Sequence, residues 1–573
     1  MGLLPNISNF RRQSILQFAL LLVTCLAFSF GLTYSLLAAF RGIDLTDESF
    51  YVLTSSNPSE YLNQTSQWGH LIAPLQTLLG RITYLRISRT VLLVFANLAF
   101  AYTSVKYILP AIGVKLSRIT ATTLTLSISS AAFLSDTWSP QGFGYNETEL
   151  ILLYFALALA IGGVFSRHDP WLKMLALGAI FPLLVITKPT ALLALIPIPL
   201  ASQFLPNARR MTRRDIAFVL GGLGVVVAMT NFLLVDLSEL IRGYSVALGQ
   251  LDELHSPAHL IQNLAANARL FITIFISDFW PTIIALLVLL SVAKLGYFQT
   301  QHKRFFAFLV GIFLLNLWIN GSLTNGFIEP EMSIYVLPVL VLIALPWQFG
   351  SSEPGQRKYN TFGIILSFAI TPFAASFGTG NSTIFWNALS FGSCWVFIIL
   401  CIPTKRVSPQ NVLTPILVIP LTLLCISLGF QGRWLDPYRQ VPLANASVRV
   451  ESPPLLSGLY VDPITAKFFK SLRAQTSKLG EKPYVVTTDR MSGAVLALDG
   501  IQPLYSWIPA EWPKQAAQSL SEACLRNDRP IVLLSSGKLD PIVFSELLTC
   551  SQEISFKTTI ESPRGPLEIW TTG

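Results

Sequence analysis

Long apolar stretches recur along most of this chain of 573 residues. A helix needs about 20 apolar residues to cross a bilayer, and about thirteen stretches approach that length. They span residues 15–38, 88–109, 119–134, 150–165, 172–187, 190–204, 216–235, 279–293, 305–319, 334–347, 362–377, 386–402 and 413–430. With 52% hydrophobic and only 12% charged residues, a soluble globule could not cover this apolar surface. The sequence therefore predicts an α-helical polytopic membrane protein with about thirteen transmembrane helices over residues 1–430.

Basic residues cluster between alternate apolar stretches and set the expected orientation. Arg11 and Arg12 precede the first stretch, which is too long for a removed signal peptide and so is expected to be retained. The positive-inside rule places the N-terminus in the cytoplasm and, with an odd number of spans, the segment after residue 430 outside. The net charge of +9 comes largely from these clusters, and we expect no nucleic-acid partner.

The densest acidic cluster, DLTDESFY at residues 44–51, directly follows the first apolar stretch. It opens a long outer loop, residues 40–87, which contains Trp68, His70 and an apolar segment too short to span a bilayer. Such segments suit helices that lie in the membrane interface. A loop of this kind is expected where a membrane enzyme builds a cavity for a lipid-borne substrate. The alternative is that the carboxylates only solvate the end of a helix.

An acidic pair at this place, Asp47 and Glu48 followed by Phe50 and Tyr51, resembles the polyprenyl-phosphate-dependent glycosyltransferases of the GT-C fold. This family includes protein O-mannosyltransferases and the lipid A aminoarabinose transferase. The resemblance covers roughly residues 10–430 as an overall plan with a few short motifs. It implies that Asp47 is the catalytic base, and that Glu48 orients it or helps to hold a divalent cation. The sequence does not decide whether a metal is used.

Two further motifs resemble the same family. In VITKPTALLALIPI, residues 185–198, Lys188 corresponds to a lysine that contacts the phosphate of the lipid donor, although Pro189 replaces the more usual glycine. In MSIYVLPVLVLIAL, residues 332–345, Tyr335 would line the donor site. The alternatives are a lysine that snorkels to the headgroups and a tyrosine of the interfacial belt.

The second outer loop supplies two further candidates for substrate binding. The segment SDTWSPQGFGYNETEL carries Asn146 and Glu147 ahead of the fourth apolar stretch, where the GT-C fold commonly has another polar group. His255 and His259 have the i, i+4 spacing of two metal ligands on one helix face. Because no paired cysteine or third histidine accompanies them, surface histidines are the favoured interpretation.

The composition changes after residue 430. Residues 431–573 are more polar, with two apolar runs, PYVVTTD and PIVLLSS, that predict buried strands, and with helical segments after each. This pattern predicts a small extracytoplasmic α/β domain. Cys524 and Cys550 both lie in it, and an oxidising exterior would permit a disulfide, although spacing alone cannot fix the pairing.

The resemblance implies an inverting transfer of a sugar from a polyprenyl-phosphate donor to a lipid, glycan or protein acceptor, at the outer face of a membrane. We expect the bacterial inner membrane as the location. Two alternatives remain open at this stage. One is a transporter or flippase for lipid-linked sugars, although no internal repeat supports it. The other is a non-catalytic membrane scaffold.

Overall fold

The computed structural model describes residues 7–61, 66–136, 139–166, 169–251, 355–377, 390–404, 413–479, 482–550 and 552–572, with a few isolated positions between these ranges. The predicted spans at 279–293, 305–319 and 334–347 fall outside these ranges. Tyr335, His255 and His259 are also outside the described residues, so their predicted roles remain predictions.

The described helices are numbered in chain order. They are α1 Ile7–Ala38, α2 Asp47–Ser56, α3 Trp68–Leu79, α4 Ile82–Thr103, α5 Leu109–Ala111, α6 Arg118–Ser129, α7 Tyr145–Phe165, α8 Pro170–Thr187, α9 Pro197–Gln203, α10 Arg213–Leu233, α11 Leu237–Leu251, α12 Gly355–Ser376, α13 Gly392–Thr404, α14 Leu413–Phe430, α15 Pro463–Thr476, α16 Ser492–Ala497, α17 Pro513–Arg526 and α18 Pro541–Thr549. The short helices α2 and α3 lie within the first predicted outer loop, residues 40–87.

Six helices within the described ranges are long and apolar enough to cross a membrane. They cover Ser14–Ala38, Ile82–Ala111, Tyr145–Phe165, Pro170–Thr187, Arg213–Leu233 and Val418–Leu435. Large apolar side chains on the outside of α1 and α10, such as Phe18 and Phe232, are exposed, as lipid contact requires. The chain is therefore an integral membrane protein, but the predicted count of about thirteen transmembrane helices is not confirmed.

Two predicted spans differ from the structure for local reasons. The stretch 119–134 forms α6 followed by a 3-10 helix, Ser130–Asp136, and the Ser130 hydroxyl donates to the carbonyl of Ser127 at 2.6 Å. Such serine contacts compete with regular helix geometry. The stretch 190–204 is divided into a 3-10 helix, Pro189–Leu195, and α9, because prolines at 189 and 197 interrupt the hydrogen-bond ladder.

The membrane helices form one apolar core, in which the backbones of α8 and α10 are in close contact at two glycines. A Cβ atom on Gly178 would overlap the backbone of Val219, and one on Gly222 would overlap the carbonyl of Leu175. Small residues at such crossings let helix backbones touch, which is how helices pack when apolar burial alone does not drive them together.

The C-terminal part is an α/β layer with a four-stranded sheet. Its strands are β3 Tyr484–Thr487, β4 Ile531–Ser535, β5 Ile554–Ser562 and β6 Gly565–Thr572, in the order β3-β4-β6-β5. β3 and β4 are parallel, whereas β6 is antiparallel to both of its neighbours. A separate pair, β1 Val448–Arg449 and β2 Tyr460–Val461, is antiparallel. The sulfur atoms of Cys524 and Cys550 are 2.12 Å apart, so the two cysteines form a disulfide.

The first loop and the α/β layer share one hydrophobic core. Ile43, Leu45, Val52 and Leu53 of the loop are buried together with residues of α15, α16 and the sheet. Backbone hydrogen bonds also join the two parts, from Gly42 N to the Tyr460 carbonyl and from Tyr460 N to the Phe40 carbonyl, both at 2.8 Å. The α/β layer therefore holds the loop that carries the acidic cluster.

The glycine contact between α8 and α10 leads to a stability prediction. We expect Gly222→Ala to destabilise the protein by about 1–3 kcal/mol, because the new methyl group forces the two helices apart. Gly224→Ala on the same helix is the matched control, since a Cβ atom there meets no neighbour and alanine favours the helix. Thermal unfolding in detergent measures both. Equal shifts for the two variants would contradict the proposed contact.

Candidate active site

Asp44 caps the start of α2. One carboxylate oxygen accepts hydrogen bonds from the Thr46 amide at 2.9 Å and the Thr46 hydroxyl at 2.6 Å, and the other accepts from the amides of Asp47 and Glu48 at 3.0 and 3.2 Å. The first N–H groups of a helix have no partner within the helix, and a carboxylate there satisfies them and complements the helix dipole. The first acid of the cluster is therefore structural.

Glu48 forms a buried bidentate ion pair with Arg86 of α4. The two carboxylate oxygens accept from Nε and Nη2 of Arg86, each at 2.7 Å, and both side chains are at most 1% exposed. The same guanidinium donates to the carbonyls of Ala39, Arg41 and Gly42, which follow the end of α1. Glu48 and Arg86 together fix the turn between the first membrane helix and α2.

Asp47 is the most accessible carboxylate of the cluster, with 21% of its side chain exposed. It accepts hydrogen bonds from the Tyr438 hydroxyl at 2.7 Å and from the Arg439 guanidinium at 2.9 Å. Arg439 has a positive φ of 53°, a conformation that costs a residue with a side chain about 1–3 kcal/mol. The segment after α14 thus adopts an unfavourable backbone conformation where it holds Asp47 in one orientation.

Lys188 lies at the end of α8 and is buried. Its ammonium group donates to Glu149 of α7 at 3.0 Å and to the carbonyl of Ala375 at 2.6 Å. Only 7% of the lysine side chain and 4% of the glutamate side chain are exposed. A charged pair at such depth is costly to form, which makes it a candidate for function.

The predicted candidates Asn146 and Glu147 lie at the start of α7. Glu147 accepts from the amide of Gly144 at 3.1 Å, as the residue of a capping box does, and it interacts electrostatically with Arg89. Asn146 is half-buried, and its Oδ1 atom has no hydrogen-bond partner among the described residues. Glu147 therefore supports the helix start, whereas Asn146 keeps an acceptor available.

Two tyrosines connect these groups. The ring of Tyr51 packs edge-on against that of Tyr145, with centroids 6.0 Å apart. Burial raises the pKa of Tyr51 well above its ordinary value, and Tyr145, Glu147, Asp47 and Tyr438 raise it further, so its phenol stays protonated. Since Tyr51 interacts with both acidic segments, the residues that open α2 and α7 surround one site.

The carboxylates do not form a metal site in this arrangement. A hard divalent cation needs several oxygen ligands. Both oxygens of Glu48 are held by Arg86, and those of Asp47 are held by Tyr438 and Arg439. Within the described ranges there is no group of three or more His, Cys, Asp or Glu residues that could hold a metal ion.

Four residues of the site were missed by sequence reasoning. They are Arg86, Glu149, Tyr438 and Arg439. For Arg86 and Glu149 a signal was present, because a charged residue inside an apolar helix is rare and is usually paired. Tyr438 and Arg439 left no such signal, because they lie in an irregular polar segment.

Comparisons with known proteins give a limited result. No protein-family model matches the chain, and no curated protein is detectably similar to it. A solved structure of the arabinofuranosyltransferase AftD from Mycobacteria is similar, with 13% sequence identity and a TM-score of 0.46 over 95% of this chain and 40% of that chain. A mutant of AftD gives 12% identity and a TM-score of 0.41, over 95% and 41%. This chain thus spans about 40% of the length of the solved chains, and the similarity alone defines neither its fold nor its activity.

The buried pair of Glu48 and Arg86 leads to a second stability prediction. We expect Glu48→Gln to lower the free energy of unfolding by about 3–5 kcal/mol, because the buried Arg86 guanidinium loses its negative partner. The control is Glu511→Gln, which breaks an exposed pair with Arg490 and should leave the unfolding temperature unchanged within error. Thermal unfolding in detergent measures both variants. An unchanged unfolding temperature for Glu48→Gln would contradict the structural role.

Proposed function

We propose that this chain is an integral-membrane glycosyltransferase that moves a sugar from a polyprenyl-phosphate donor to a lipid, glycan or protein acceptor. The observation that carries the proposal is that an accessible carboxylate, Asp47, and a buried ion pair lie around the same two tyrosines. The ion pair is Lys188 with Glu149, and the tyrosines are Tyr51 and Tyr145. These groups come from the start of α2, the start of α7 and the end of α8.

Asp47 is the proposed general base. Its carboxylate takes the proton of an acceptor hydroxyl while the acceptor oxygen forms a bond to the anomeric carbon of the donor sugar. The bond from that carbon to the phosphate oxygen breaks in the same step, and polyprenyl phosphate leaves. Tyr438 and Arg439 position the base through two hydrogen bonds to its carboxylate. A single displacement of this kind inverts the anomeric configuration.

Lys188 is the proposed contact for the donor phosphate. An ammonium group has three N–H donors, and two of them are used by Glu149 and Ala375 among the described residues. The third can donate to a phosphate oxygen and stabilise the charge that develops as the phosphate leaves. Glu149 keeps the lysine in place at a depth where an unpaired ammonium would be costly.

The location at the outer face of a bacterial inner membrane is part of the proposal. The disulfide between Cys524 and Cys550 supports an oxidising compartment for the α/β layer. The positive-inside distribution supports the same orientation. A lipid-phosphate donor also suits this side, because no soluble nucleotide sugar is required there.

The test is a transfer assay with purified protein, a panel of radiolabelled polyprenyl-phosphate sugars and a cell-envelope extract as acceptor. We expect Asp47→Asn to reduce transfer by about 10²- to 10⁴-fold, because the base is lost, while donor binding and the unfolding temperature are retained. Glu511→Gln is the control for an acidic residue outside the site. The anomeric configuration of the product reports on inversion.

Two outcomes would overturn the proposal. Equal transfer by wild type and Asp47→Asn would remove Asp47 as the base. Movement of lipid-linked sugar across vesicles without transfer to any acceptor would favour the flippase instead.

A further inference from the structure

Three buried polar atoms near Tyr51 and Tyr145 have no hydrogen-bond partner among the described residues. They are Nε1 of Trp68, Oδ1 of Asn146 and Oε1 of Glu149. Trp68 is 1% exposed and Glu149 is 3% exposed, so bulk water at the surface does not supply hydrogen bonds to these two side chains. Buried polar groups in folded proteins nearly always have partners, and an unsatisfied one is costly. Each of these atoms therefore requires an explanation.

The three atoms come from different parts of the chain but lie around the same pair of tyrosines. The Trp68 ring packs edge-on against Tyr51, with centroids 5.6 Å apart, and Tyr51 packs against Tyr145 at 6.0 Å. Asn146 follows Tyr145 and interacts with its hydroxyl. Glu149 lies one helical turn further along α7 and interacts electrostatically with Tyr145. The unpartnered atoms are thus close to the proposed base and to Lys188.

The kinds of atom indicate the ligand. The indole N–H of Trp68 only donates, whereas a carboxylate oxygen and an amide oxygen accept. A phosphate group would need only hydrogen-bond donors from the protein, and a metal ion would need only oxygen or nitrogen atoms that donate electron pairs. A lipid tail would need neither. A hydroxyl group both donates and accepts, so a polyhydroxylated ligand can satisfy all three atoms.

We propose that Trp68, Asn146 and Glu149 form the subsite that binds the hydroxyl groups of the transferred sugar. This inference rests on the proposed function and adds to it the residues that select the sugar. The second oxygen of Glu149 holds Lys188, the proposed phosphate contact, at 3.0 Å. A sugar bonded to that phosphate is therefore adjacent to the free oxygen of the same carboxylate. The indole ring of Trp68 adds an apolar wall against which a sugar ring can lie.

The subsite predicts strong selection against donors that lack a hydroxyl group. A site built to hydrogen-bond a hydroxyl rejects an analogue without it, because its own polar atoms are then left unpaired. The experiment is a binding cycle with the donor found in the transfer assay and its monodeoxy analogues. Binding is measured with radiolabelled ligands in the Asp47→Asn background, which leaves the donor intact.

We expect the complete donor to bind about 10- to 100-fold more tightly than one monodeoxy analogue, because one or two buried polar atoms lose their partner. In Trp68→Phe, which keeps the aromatic ring and removes the N–H group, this ratio should fall to near 1 for that same analogue. In Asn146→Ala, a change at a half-buried position, the ratio should fall to near 1 for a different monodeoxy analogue. Trp570→Phe is the control, because its indole lies on β6 and donates to Glu568.

The outcomes separate this inference from the proposed function. If wild type transfers a sugar and the Asp47→Asn protein binds its donor, but adding neither Trp68→Phe nor Asn146→Ala changes the ratio for any monodeoxy analogue, the subsite is overturned and the function stands. If wild type transfers no sugar and the Asp47→Asn protein binds no polyprenyl-phosphate sugar, both are overturned. If the affinity ratio between the complete donor and a monodeoxy analogue also falls to near 1 in Trp570→Phe, the change reflects a general effect on folding. That outcome would also count against the subsite.

Discussion

The buried ion pair between Glu48 and Arg86 is the interaction on which the site depends. It brings together the residues that follow α1, the start of α2 and the first turns of α4, and its guanidinium donates to three backbone carbonyls that would otherwise lack partners in an apolar interior. A lysine could not replace Arg86, because only a planar guanidinium presents so many donors in fixed directions. With the turn fixed, α2 projects Asp47 toward the segment after α14. The neighbouring acids of one short cluster therefore have different physical roles.

The α/β layer contributes to the site as directly as the membrane helices. Thr54 of α2 hydrogen-bonds Ser506 at 2.8 Å, and the amide of Gly493 donates to the carbonyl of Leu45 at the same distance. Phe50 packs near Trp507, with centroids 6.4 Å apart. These contacts tie α2 and the residues before it to the α/β layer. The helix that carries the accessible carboxylate thus packs against both the membrane helices and the α/β layer.

The sequence made the class of the protein predictable, because apolar stretches and their flanking charges report on the membrane without any knowledge of tertiary contacts. The disulfide needed the structure, since spacing leaves the pairing open. The partners of the candidate residues were also beyond reach. Asp47 contacts Tyr438, 391 residues later, and Lys188 contacts Glu149, 39 residues earlier. Such pairings depend on how helices are arranged. Local patterns do not contain that information, whereas a charged residue within an apolar helix does signal that some partner exists.

The hydrogen bonds that join Phe40 and Gly42 to Tyr460 also affect the order in which the protein can be assembled. During synthesis, the first loop emerges long before residues 450–569, which complete its hydrophobic core. Apolar side chains of the loop therefore lack their partners while several membrane helices are inserted, among them Ile43, Leu45 and Val52. Contacts so distant in sequence form late and slowly. A chain truncated before residue 450 would therefore leave the loop that carries the acidic cluster without most of its hydrophobic core.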